Sequence, residues 1–179
     1  MGMTLETKKD IVADMLLSAG TREMMEWLES AGYYTAPASK GHHGAYEGAL
    51  FEHSLQVAYE LINLTARLGL KWERKESPGI IGLLHDVCKL DDYVLKETEE
   101  ATEIVWNQER TWPGHGSKSL IMLMGHIELT EEEKMCIMYH MGAFVDSKEW
   151  EFYSRAVKKY PNVLYTHTAD MIASQIKGV

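Results

Sequence analysis

A chain of 179 residues, 45% hydrophobic and 25% charged, fits one domain built on a single substantial core. Its net charge of −9 argues against a chain whose main business is gripping nucleic acid or anionic membrane, both of which call for basic surfaces. No apolar run approaches the roughly 20 residues of a membrane span, and Met1 to Asp10 lacks a signal-peptide core.

The two cysteines, Cys88 and Cys136, stand far apart in apolar helical contexts and form neither a CxxC pair nor a disulfide framework. Buried free thiols in a reduced, cytoplasmic protein are expected.

Helical periodicity dominates from the start. A first helix is expected from about Glu6 to Ser18, with Ile11, Met15 and Leu16 on one face and Gly20 as its stop. Thr21 is placed to cap a short helix through Leu28, ended by Gly32. Residues 1–32 read as scaffold. Tyr33 to Gly48 is irregular, with Pro37, Gly41, His42, His43 and Gly44.

A long helix follows from about Ala49 to Leu68, with an apolar stripe of Leu50, Val57, Leu61, Leu64 and Leu68. His53 lies on that stripe. Ser77-Pro78 opens the next helix, with proline at a tolerated first-turn position. Ile81, Leu84, His85 and Cys88 form its inner side.

Asp91 to His115 is the least legible stretch. Tyr93 to Thr102 has helical character, and Ile104–Trp106 and Thr111–Trp112 flank Asn107–Arg110 as a small hairpin or flap over 104–112. Asp91-Asp92 and Glu97, Glu99 and Glu100 read as a solvated acidic face. Ser117 is placed to cap a helix to about Met124, and Thr130 to Glu133 forms a capping box before a helix ending at Tyr139-His140. Asp146 is placed to cap a helix to about Lys159, and Pro161 to start the last, through Ile176. The expected class is all-α, with at most one small hairpin.

Histidines stand at 42, 43, 53, 85, 115, 126, 140 and 167. The adjacent pair His85-Asp86 sits inside the apolar run Gly82 to Val87. His53 is on a core stripe, His140 follows Ile137 and Met138, and Asp170 lies between Ala169 and Met171. Buried singly, each is a liability. Converging from different helices, they neutralise one another around a divalent cation.

The order His53, then His85-Asp86, then Asp170, with Lys89 three residues after Asp86, resembles the HD-domain superfamily of metal-dependent phosphohydrolases. The local wording is similar in Gly-Ala-Leu-Phe-Glu-His53-Ser-Leu, in Gly-Leu-Leu-His85-Asp86-Val-Cys-Lys89 and in Thr-Ala-Asp170-Met-Ile-Ala. The likeness spans roughly Gly41 to Ser174.

Pro113-Gly-His115-Gly-Ser-Lys-Ser and Tyr139-His140-Met-Gly resemble the two further histidines of the binuclear branch. The resemblance implies a single HD-type helical domain over residues 1–179. It implies His53, His85, Asp86 and Asp170 around one metal, with Asp86 bridging to a second that His115 and His140 complete. It places Asp86 and Lys89 in catalysis, with one or two divalent ions per chain (Mn, Fe, Ni, Co, Zn or Mg).

His126 is the rival of His115, set near a helix end where surface histidines are common. His167, three residues before Asp170, shares its helix face as a supporting or core histidine. His42 and His43 sit ahead of the His53 helix, as a solvated pair or as substrate contacts. Lys89 can meet a phosphate oxygen or simply answer the helix dipole. Trp106 and Trp112 can roof a cleft or stack on a base.

Metals held by His and Asp lower the pKa of bound water from about 15.7 towards 7. The sequence offers no P-loop and no Ser-His-Asp or Cys-His nucleophile. The expected function is hydrolysis of a phosphate mono- or diester, most simply of a small nucleotide rather than long nucleic acid. The alternatives are a non-catalytic metal-binding regulatory module and a di-iron oxygenase of similar fold.

Overall fold

In the computed structural model, which describes residues 3–41, 44–97 and 102–179, two threonines start the first helices. Thr4 Oγ1 accepts from Thr7 N at the head of α1 (Leu5–Leu16), and Thr21 Oγ1 accepts from Met24 N at the head of α2 (Arg22–Ser30). α1 stops earlier than its sequence pattern, because Leu17 takes a positive φ of 45° and the chain tightens into a 3-10 turn over Leu17–Ala19. His42 and His43 lie outside the described residues, as do Glu99 and Glu100.

α3 (Ala49–Leu68) is bracketed by left-handed Gly48 and Gly69, and its bounds match the expected ones. Leu50, Val57, Leu61 and His53 are buried, but Leu64 is half-buried and Leu68 is 56% exposed. The buried stripe therefore ends a turn before the apolar pattern does.

α4 (Ser77–Leu84), with proline in its first turn, stops short of the His-Asp pair. The chain then passes through tight turns, with Lys89 N bonded to Asp86 O and Leu90 N to Val87 O, into α5 (Lys89–Asp92). His85, Asp86 and Cys88 thus occupy a break between two helices rather than one helix face. A Cβ on Gly82 would lie 2.3 Å from Ala58 Cα. Only the missing side chain lets α4 approach α3 this closely, one turn before His85.

The segment after α5 is extended, not helical. β1 (Tyr93–Glu97) pairs antiparallel with β2 (Thr102–Trp106). The hairpin therefore lies upstream of the expected one: Ile104–Trp106 is its second strand, and Thr111–Trp112 is not paired with it. β-Branched and aromatic residues in β2 favour this pairing. Asn107 closes the base, its N–H bonding Asp92 O at 2.9 Å and its Nδ2 reaching Asp91 Oδ1 at 3.0 Å.

Asp91 and Asp92 do not form a solvated face. Asp92 is buried, and Lys118, with 0% exposure, sets its ammonium 2.7 Å from a carboxylate oxygen of each.

α6 (Gly116–Leu123) carries that lysine. Its N-cap position is His115, and Ser117 lies inside the first turn instead of capping it. α7 (Glu131–Met138) begins with the capping box of Thr130 and Glu133. Glu133 is fully buried because its oxygens also accept from Arg74 and Ser77 at 2.7 Å, tying α7 to the start of α4. Gly116 repeats the device of Gly82, since a Cβ there would sit 2.1 Å from Met138 O. The start of α6 is thereby pressed against the end of α7.

Asp146 caps a 3-10 turn, Ser147–Glu149, that leads into α8 (Trp150–Lys159). α9 (Asn162–Met171) continues as a π-helical stretch over Ile172–Lys177. One core cluster runs from Val12 and Leu28 through α3 and α4 to Ala169 and Ala173, so the first helices share it with the rest. The architecture of the described residues is mainly helical with one small two-stranded sheet. Among the described residues, no helix is long and apolar enough to cross a membrane.

Candidate metal centre

Three imidazoles meet two carboxylates where α3, the α4–α5 break, the end of α7 and α9 come together. His53, His85, Asp86 and His140 are buried, and Asp170 is nearly so. Each ring is oriented by its Nδ1. His85 Nδ1 faces Gly82 O at 2.9 Å, His140 Nδ1 faces Ile137 O at 2.8 Å and His53 Nδ1 faces Val179 O at 3.0 Å. A main-chain oxygen only accepts, so each Nδ1 carries the proton and donates it. That assignment leaves Nε2 with a free lone pair in the neutral ring.

All three Nε2 atoms are buried without a hydrogen-bond partner. An orphaned buried nitrogen is costly, and three directed at the same carboxylates fit a cation-binding pocket. Two groups, His53–His85–Asp170 and His85–Asp86–His140, each hold their ligand atoms within 4.8 Å of one another.

Asp86 divides the cluster by its two oxygens. Oδ2 faces His53 Nε2 and His85 Nε2, both at 3.5 Å, and Lys89 Nζ at 2.6 Å. Oδ1 faces His140 Nε2 at 3.3 Å and Cys88 Sγ at 4.0 Å. Asp170 Oδ1 stands 3.2 Å from His53 Nε2.

The electrostatics follow from this crowding. Burial pushes the His85 imidazole down to about 4, against the opposing pull of Asp86. Burial also disfavours the charged form of Asp86, but Lys89, His85 and His140 outweigh it and hold the carboxyl well below its ordinary range. Asp170 is lowered in the same way, with the adjacent His53 and His85 imidazoles offsetting burial. His140 is desolvated too, yet Asp86 and Asp170 carry it above its ordinary value. For Lys89, Asp86 more than offsets burial, so the ammonium stays charged.

His115 lies at the edge of the cluster and is half-buried. Its Nδ1 is 3.6 Å from Cys88 Sγ, and Asp86, Cys88 and His115 form a third group within the same 4.8 Å limit. No such group of described residues contains His115 and His140 together, although the family resemblance implies that they share one ion. His126 is elsewhere, stacked on Trp27 at 4.2 Å between ring centroids.

His167 does not face the carboxylates. Its Nδ1 donates to His140 O at 2.9 Å, and its ring fills the space over Gly142. It therefore steadies the turn that presents His140. Tyr33 plays a similar part for the His-Asp turn, its hydroxyl donating to Leu83 O at 2.6 Å.

Two contributors escape a reading of the sequence. Cys88 looks like any buried thiol until the break between α4 and α5 turns it towards Asp86. Val179 is 126 residues from the ring it orients, a separation no local pattern signals.

The cluster adjoins a cleft of about 250 Å³ whose lining includes His53, Lys89, Ser39, Gly41, Ser174 and Gln175. Larger depressions, around Arg74 and His126 and around Trp72 and Tyr165, contain none of the three His/Asp/Cys groups. Comparison with family models, curated proteins and solved structures finds no match for the chain.

Proposed function

We propose that the chain is a metal-dependent phosphohydrolase of the HD-domain type, acting on a small phosphate mono- or diester, with nucleotides as the favoured class. The observation that supports this most directly is the set of three buried, partnerless Nε2 atoms around Asp86 and Asp170, with a charged lysine beside them on the cleft wall.

His53, His85, Asp86 and Asp170 would hold one divalent cation, and Asp86, with a second oxygen free to bridge, would share a further one with His140 and His115. Bound there, such ions lower the pKa of coordinated water and neutralise charge gathering on phosphoryl oxygens. The chain's own groups do the rest. Lys89 keeps its proton and offers a point charge to a phosphoryl oxygen. Ser39, Ser174 and Gln175 supply neutral polar contacts at the cleft mouth. The buried walls formed by α3 and α4 keep bulk water from the carboxylates.

A cleft of about 250 Å³ favours a small phosphoester over a polymer as the substrate. The net charge of −9 likewise disfavours long nucleic acid.

Turnover of aryl phosphate mono- and diesters with added Mn²⁺, Ni²⁺ or Co²⁺ tests the reading, followed by a panel of nucleoside phosphates. Hydrolysis that depends on the metal and is lost in Asp86→Ala supports it. Absence of turnover with every metal on both ester types overturns it and leaves a metal-binding module.

A further inference from the structure

Cys88 is buried two residues past Asp86, and its surroundings are unlike those of Cys136. The main-chain N–H of Cys88 donates to Ser119 Oγ at 3.2 Å, and Ser119 N bonds to His115 O at 2.9 Å. The His-Asp turn and the first turn of α6 are therefore latched together, with the thiol and the His115 ring held in the gap. Sγ sits 3.6 Å from His115 Nδ1 and 4.0 Å from Asp86 Oδ1.

An independent feature points at the same spot. His140 Nε2, fully buried and without a hydrogen-bond partner, is aimed at that same Oδ1 from 3.3 Å. One sulfur, two imidazole nitrogens and one carboxylate oxygen thus surround the Oδ1 side of Asp86. Lys89 and the other two imidazoles take the Oδ2 side.

We propose that Cys88 Sγ is a metal ligand, forming with His115 Nδ1 and Asp86 Oδ1 a thiolate-bearing cation site on the side of Asp86 that faces His140. A sulfur ligand changes which ion the position takes. Thiolate and imidazole suit Zn²⁺, Fe²⁺ and Co²⁺, whereas Mg²⁺ and Ca²⁺ select all-oxygen sites. On binding, the S–H bond breaks heterolytically, its electron pair forms the metal–sulfur bond and the proton leaves to solvent. No electron is transferred, so no oxidant is required. The proposal rests on the metal-binding part of the reading above and not on its hydrolytic part.

The full chain, stripped with chelator and titrated with Co²⁺, tests it by absorption spectroscopy. The wild type is expected to show visible cobalt d–d bands together with a near-ultraviolet thiolate-to-cobalt charge-transfer band that excess Mg²⁺ leaves in place. Cys136→Ser keeps that band. Cys88→Ser loses it while retaining d–d absorption from the histidine-rich side, and His115→Ala weakens it.

As a second measure, the wild type releases one more proton per chain on Co²⁺ saturation than Cys88→Ser does. Wild-type d–d bands without a charge-transfer band, or a band that survives Cys88→Ser, overturn the proposal. Absence of any cobalt absorption overturns it together with the metal-centre reading. A thiolate band in a protein that hydrolyses nothing overturns only the hydrolase.

Discussion

Replacing Asp86 by asparagine preserves the side chain's volume and removes the charge that faces Lys89 at 2.6 Å and three imidazoles at 3.3 to 3.5 Å. Lys89, its side chain only 15% exposed, is then stranded. Deleting one partner of a buried ion pair costs about 3–5 kcal/mol. In a chain of this length each kcal/mol moves Tm by roughly 2–4 °C, so metal-free Asp86→Asn is expected to melt roughly 6–20 °C below wild type. The double variant Asp86→Asn/Lys89→Met removes the stranded ammonium as well and recovers most of that loss.

Metal separates the two roles of Asp86. At a hundred times its Kd, a bound ion stabilises the wild type by about 2.7 kcal/mol, roughly 5–11 °C. Neither variant is expected to gain it. Thermal melts of the three proteins, in chelator and in Mn²⁺, decide the matter. A double variant no more stable than Asp86→Asn would show that Asp86 does not hold Lys89. A full metal-dependent shift in Asp86→Asn would show that the carboxylate is not a ligand.

Gly82→Ala and Gly116→Ala force a Cβ to within 2.3 Å of Ala58 Cα and 2.1 Å of Met138 O. Each is expected to cost at least the 1–3 kcal/mol typical of overpacking and to reduce metal uptake, measured by melts and elemental analysis. His115→Ala is expected to lower metal content per chain while His126→Ala, which removes only a stacking partner of Trp27, leaves it unchanged; equal effects would contradict the placement of both. Without metal, stability is expected to fall as pH drops from about 6.5 to about 4, because His85 takes up a proton in the unfolded chain before it does so in the fold. The full loss is about 3 kcal/mol. His140, raised in the fold, is protonated in both states over that window; its contribution is lost only as pH rises above 6.5 through its folded value. Denaturant titrations in chelator across this range check the sign, and a flat profile would count against a neutral buried His85.

Local signals were legible wherever a residue's reason for being present is local. The bounds of α3 at Ala49 and Leu68 were legible because a 3.6-residue apolar stripe is complete within the helix itself. Thr130 and Glu133 announce α7 because a capping box is complete within four residues. The order of His and Asp along the chain anticipated that His53, His85, Asp86, His140 and Asp170 come together, but not that His115 and His140 fall in different groups.

What stayed hidden depends on distant partners. Tyr93 to Glu97 becomes a strand because β2 and Asn107 pair with it. Asp92 is buried because Lys118 reaches it from 26 residues away. Cys88 joins the cluster because α4 stops at Leu84 and the following turns rotate the chain, a break that Leu-Leu-His-Asp-Val-Cys does not advertise. His126 and His115 look alike as letters and differ only in what packs beside them.

The three inward-facing imidazoles are not aimed in the same way. The rings of His85 and His140 each hang from a carbonyl three residues back on their own helical turn, Gly82 O and Ile137 O. Their aim is written into local backbone. His53 takes its bearing from Val179, beyond the π-helical stretch that follows α9. Two donors are therefore self-setting and one is set from afar. Loosening the segment after α9 would disable the cluster by swinging a single ring, with the helices and every other ligand still in place.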